Sequence, residues 1–115
     1  MFARKVVASL EPNALPEFIN LMEKEILPWL RKREGFLDLI VLAMHGSEEV
    51  AAISFWNRQA DAESWATTCF PEAAKILSRL IHAGPYVKMF DVVSSTLHNH
   101  AQIERERSVL AGTTS

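Results

Sequence analysis

This chain is poor in cysteine and glycine and has no surplus of either charge, and each shortage narrows what it can be. Its single cysteine, Cys69, has no partner for an internal disulfide, which implies a reducing, cytoplasmic compartment. Twelve Lys and Arg stand against fourteen Asp and Glu, a net charge of −2. A nucleic-acid surface shows clustered basic excess, so no nucleic-acid partner is expected. No apolar run approaches the roughly 18 residues of a membrane span, so no membrane association is expected. Met1-Phe2-Ala3-Arg4-Lys5 has no apolar stretch behind its positive charges, which argues against a secretory leader. Gly-rich phosphate loops, nucleophile elbows and paired-carboxylate motifs are also missing. His98 and His100 form an H-x-H pair with only Asn99 between them. Zinc takes three or four ligands, so no metal site is expected.

What the chain does have is a large apolar share, 49%, with 23% charged residues. That composition folds, and a length of 115 residues makes one domain. A chain of this size buries about 65% of its unfolded surface, enough for a core without disulfides.

The period of the apolar residues sets the elements. Residues 2–10 (FARKVVASL) are β-branched at their centre and read as a strand. From Asn13 the spacing turns helical, with Leu15, Phe18, Ile19, Met22, Ile26, Trp29 and Leu30 on one stripe. Asn13 is the expected N-cap, Pro16 sits in the first turn, Pro28 should bend the helix, and Gly35 should stop it. Residues 36–44 and 50–56 read as a hairpin around His45-Gly46-Ser47-Glu48. A second helical region runs from Asp61 to about Ile81, interrupted at Phe70-Pro71 and closed by Gly84-Pro85. Residues 86–97 form a fourth strand. Residues 98–115 are a polar tail, either without regular structure or with a short helix at 101–110.

The order βαββαβ predicts an α+β, ferredoxin-like domain over residues 1–97. Right-handed crossovers put both helices on one face of a four-stranded antiparallel sheet. A sheet covered on one side should alternate apolar and polar residues. Here Leu37, Leu39 and Val41 alternate with Ile40, Leu42 and Met44, so both faces are apolar. Four short strands present roughly 400 Å² of face, the size at which an apolar patch marks a binding surface. A homodimer through the sheet face is expected.

Leu27-Pro28-Trp29-Leu30, then Gly35-Phe36 before an apolar strand, and Trp56 before Asp61-Ala62-Glu63 resemble the antibiotic-biosynthesis monooxygenase family. The resemblance spans residues 2 to about 97. It implies a dimeric α+β barrel with a small pocket between each sheet and its helices. It also implies cofactor-independent oxygenation of a small aromatic or quinol, with a non-catalytic ligand-binding or regulatory homodimer as the alternative. Trp65 stands where haem-degrading members carry a Trp, but Lys75 stands where they carry the iron-ligating His, and the first strand lacks their Asn. Haem, and any other cofactor, is therefore not expected. Ala52 stands where quinone-forming members carry an Asn.

Five residues are candidates for the site. Trp65 is either a pocket wall that stacks on a ligand or a helix residue packed on the sheet. Trp56 is either a second ligand contact or strand-end packing. Arg4, out of place in an apolar strand, either holds a carboxylate or phenolate, or sits at the strand's open start or pairs across the dimer. Asp38 is a base if buried, and otherwise a solvated or Arg-paired residue near the strand's beginning. His82 is a catalytic candidate or a cation closing the second helix. Trp29 and Cys69 are expected to be packing residues, and His45 is expected in solvent.

Overall fold

The computed structural model describes residues 1–96. The tail over 98–115, its alternative helix and the His98/His100 pair lie outside the described residues. Nine residues of mixed β-branched and small side chains form β1 (Phe2–Leu10). The chain then reverses over Glu11-Pro12-Asn13. Asn13 does not cap the helix: it takes the left-handed conformation at φ +63°, which a short amide side chain tolerates. Ala14 occupies the cap position, its N–H bonded to the Glu11 carbonyl at 3.1 Å.

The first helix is built of three pieces, α1 (Leu15–Leu21), a π-helical segment (Met22–Ile26) and α2 (Leu27–Arg31). Pro28 accounts for the change of pitch. It has no N–H to give and its ring crowds the carbonyls of the preceding turn. The wider π turn takes up that conflict, with the Leu27 N–H reaching back five residues to the Met22 carbonyl. Phe18, Met22, Ile26 and Leu30 stay buried on one stripe throughout. The expected bend is therefore a local unwinding ahead of the proline.

Strands β2 (Phe36–Ala43) and β3 (Glu49–Trp56) pair as the predicted hairpin, with an irregularity between Phe36 and Asp38. The second helical region begins at α3 (Gln59–Thr68), breaks at Cys69 and resumes as α4 (Phe70–Leu77) with Pro71 in its first turn. A 3₁₀ turn (Ser78–Leu80) leads into β4 (Ile81–Asp91).

Here the structure departs from expectation. Gly84-Pro85 lies inside β4 and does not end the helix, and the strand stops at Asp91, well before residue 97. The sheet order β2-β3-β1-β4 makes β4 an edge strand, where a residue without an N–H is tolerated. Pro85 falls where the β1–β4 register shifts, between Val7 and Ser9. Gly84, at φ +98°, passes so close to β1 that a Cβ would lie 2.9 Å from the Val7 carbonyl. Ile81 and His82 therefore belong to the strand, and Ile81 pairs with Leu10.

Alternation sends Arg4, Val6 and Ala8 of β1 toward the helices, together with Leu39 of β2 and Val50, Ala52 and Ser54 of β3. The opposite face carries Ile40 and Leu42 (β2), Ile53 and Phe55 (β3), Val7 (β1), and Tyr86 and Phe90 (β4). No element among the described residues covers it. Leu42, Tyr86 and Phe90 are 49%, 66% and 47% exposed.

Candidate ligand-binding cavity

Between the sheet and the helices the core does not close. A small cleft of about 70 Å³, partly open to solvent, runs from Arg4 and Trp65 toward Leu77, Ile81 and Pro85. β1 and β3 form its floor. The π-helical segment supplies Met22 and Ile26, and α4 supplies Phe70, Ala73 and Ala74. The small side chains Ala8, Ala52, Ala73 and Ala74 leave the space that larger ones would fill. Two polar side chains, Arg4 and Ser54, are part of the wall, and Arg4 is its one ionisable group among the described residues.

Arg4 is 3% exposed. Its guanidinium carbon lies 4.1 Å from the centroid of the Phe70 ring, so the ring covers one face of the cation. Among the described residues no carboxylate pairs with it, and Nε has no hydrogen-bond acceptor. Burial pushes its pKa down from the ordinary value, yet a guanidinium remains charged at physiological pH. The neighbouring hydroxyl is already engaged. Ser54 Oγ accepts the Trp56 indole N–H at 2.9 Å and donates to the Arg4 carbonyl at 3.4 Å.

The three tryptophans form one aromatic cluster with distinct positions. Trp65, 3% exposed on α3, lines the cavity. Trp29 meets it edge-on at 5.4 Å, and Trp56 lies tilted at 6.3 Å. Trp56 is fully buried, stands behind the cavity wall, and braces Ser54. Trp29 is partly buried and packs against the core from its edge.

The two titratable candidates lie elsewhere. Asp38 is opposite Phe55 in the sheet and so belongs to the uncovered face. His82 is exposed at the start of β4, with Nδ1 3.6 Å from Glu11 Oε1. Its expected place at a helix C-terminus is corrected, because the chain is already extended there. Lys75 faces solvent on α4 beside Glu72 at 3.6 Å. The cavity wall holds no imidazole, thiolate or phenolate among its described residues, so these residues do not fit a haem iron. No group of three His, Cys, Asp or Glu gathers among the described residues, and none of their helices is long and apolar enough to cross a membrane.

One arrangement supporting the site has no clear signal in the sequence. Asp61, 7% exposed in the first turn of α3, accepts two hydrogen bonds from Arg58, at 3.1 and 3.3 Å. Gly35, at φ +81°, packs against that carboxylate so closely that a Cβ would lie 2.0 Å from Oδ2. The Gly35–Asp61 packing, with the Asn57 N–H donating to the Gly35 carbonyl at 2.8 Å, sets the start of α3 against the turn that enters β2. Asp61 reads in sequence as an ordinary first-turn acid; only the fold brings Gly35 onto it. Phe70 likewise reads as a helix interruption, and its place beneath Arg4 depends on the packing of α4.

No family model matches the chain, and no curated protein matches it. Solved structures do share the fold. The monooxygenase from the gene ActVA-Orf6 of Streptomyces coelicolor, in complex with the ligand nanaomycin D, superposes with a TM-score of 0.71. The two are 18% identical, over 85% of this chain and 92% of that one. An antibiotic biosynthesis monooxygenase matches at 0.65 and 17% identity, over 82% of this chain and 100% of the other. The NE2512 protein of Nitrosomonas europaea, of unknown function, matches at 0.67 and 16%, over 85% and 94%. The α+β architecture is that of the antibiotic-biosynthesis monooxygenases.

Proposed function

We propose that this chain, folded as the antibiotic-biosynthesis monooxygenases are, is a homodimeric, cofactor-independent monooxygenase-like protein for a small aromatic or quinol. The observation that carries the reading is the cavity itself: an apolar space under the helices, walled by Trp65, with one buried cation. A fold similar to that of the nanaomycin D-bound Streptomyces protein supports a small-molecule ligand for this chain.

The chemistry needs little from the protein. An ionised phenol or quinol is electron-rich enough to give electrons to dioxygen directly. For a phenol with a free ring C–H, one oxygen atom enters the ring as a carbonyl and the other leaves as water. Substrate and O₂ thereby become quinone and H₂O. Position and exclusion of water are the contributions this cavity can make. Trp65 offers a flat wall, Trp56 holds Ser54 and the floor behind it, and Arg4 meets the substrate oxygen. Asp38 and His82, away from the cavity, have no part in this scheme.

The test is oxygen uptake with a panel of phenols, naphthols and quinols, read beside the absorbance of the quinone formed. Turnover with matched oxygen loss and quinone gain is expected. A second reading, a non-catalytic ligand-binding or regulatory dimer, is favoured by the lack of a general base in the wall. Saturable binding without oxygen uptake across the panel selects that reading.

A further inference from the structure

We infer that the cavity selects a flat, apolar molecule carrying a single oxyanion, and that Arg4 is the residue that imposes this charge requirement. The inference rests on reading the cavity as a ligand site and adds the class of ligand.

Arg4 is 3% exposed, its Nε has no acceptor, and no negative charge among the described residues pairs with the guanidinium. Burying an ion unpaired is among the costliest arrangements a fold can contain. The Phe70 ring under it at 4.1 Å offsets part of that cost through its π face but accepts no N–H bond in the plane of the cation. Ser54 does not answer it either: its hydroxyl donates to the Arg4 carbonyl, accepts the Trp56 N–H, and makes no bond with the guanidinium. Core packing does not call for a cation here. Val6 and Ala8, next along β1 on the same face, are apolar, as is most of the wall.

The remaining demand is for an acceptor of opposite charge inside the cavity. Among the described residues, one cation and no lining anion give the space a charge of +1, which a monoanion neutralises. The apolar remainder calls for an equally apolar body, and the Trp65 wall for a flat one. Carboxylate, phenolate and enolate oxygens share the required chemistry. A cation beside it also lowers the pKa of a bound phenol or enol, so Arg4 holds the ionised form although no base lines the cavity among the described residues.

The experiment measures binding to the full chain by tryptophan-fluorescence titration, using two acid–ester pairs. Naphthoate is compared with methyl naphthoate, and lawsone, an acidic enol ionised at neutral pH, with its methyl ether. Each anion is expected to bind on the order of tenfold or more tighter than its neutral partner, as a charge-assisted contact predicts. Arg4→Met should abolish that preference and leave the melting temperature unchanged or raised, since an unpaired buried ion is removed. Anion preference for only one pair narrows the ligand to carboxylates or to enolates and supports the inference.

Equal binding of anions and esters overturns the charge requirement while leaving the cavity as a ligand site. Binding of none of the four overturns both readings. Anion binding without oxygen uptake upholds this inference and rejects the oxygenase. If Arg4→Met does not fold, Arg4→Gln and the wild-type acid–ester ratio give the same decision.

Discussion

Trp65 combines two roles that the sequence could only list as alternatives, since it is both 3% exposed and part of the cavity wall. Trp65→Ala should therefore cost about 3–5 kcal/mol of stability in urea melts, the range for deleting a buried aromatic. Trp65→Phe keeps a ring in place and should fold, while weakening aromatic ligands by about 1 kcal/mol. Gly35 gives a sharper test. Gly35→Ala incurs the left-handed conformation, about 1–2 kcal/mol, and also drives a methyl into the Asp61 carboxylate. Gly46 has a similar φ of +75° with nothing within 4 Å of a Cβ, so Gly46→Ala incurs the conformational cost alone. The thermal melt of Gly35→Ala should fall below that of Gly46→Ala, and equal melts would refute the Asp61 packing. The sequence marked Arg4 as out of place in its strand, but not its lack of a partner. That depends on which carboxylates the fold brings near. Asp38 was equally conspicuous, and the pleat places it on the uncovered face.

At the scale of elements, spacing revealed the helices and the hairpin because apolar periodicity is a local property. The boundaries that failed depend on neighbours. Gly84-Pro85 reads as a helix stop in sequence, but β1 lies alongside and the edge position lets a proline stay within a strand. Pro28 was legible as a disturbance, while the π turn that absorbs it depends on keeping Met22 and Ile26 buried on the same stripe. One ion pair links two distant elements: Arg79, in the 3₁₀ turn, binds Glu17 of α1 through both its terminal nitrogens, with Nη1 3.1 Å from Oε2. The Arg79 hydrogen bond holds the Glu17 carboxyl below its ordinary pKa. A carboxylate whose folded pKa is depressed adds stability above its unfolded pKa and loses it as pH falls through the folded value. The stability advantage of wild type over Glu17→Gln should thus be small at neutral pH and should fade as the pH falls below the ordinary glutamate range and through the lowered folded pKa. An advantage that grows in acid would refute the assignment.

For the whole molecule, the uncovered sheet face is what the sequence disclosed most plainly, through strands apolar on both sides. Leu42, Tyr86 and Phe90 remain open to solvent, and a second copy laid against them would bury them. Light scattering at micromolar concentration should give twice the 13.0 kDa chain mass. Phe90→Glu should return a monomer, because a carboxylate buried in such an interface has no water and no partner. The central claim concerns the other face, where the cavity opens. Its most direct test is a ¹⁵N NMR titration with naphthoate, following the Arg4 Nε–H and the Trp65 indole N–H. Both signals should move and saturate together at one ligand per chain, with Leu42 and Tyr86 unaffected. Shifts confined to the uncovered sheet face, with Arg4 and Trp65 unmoved, would contradict the account.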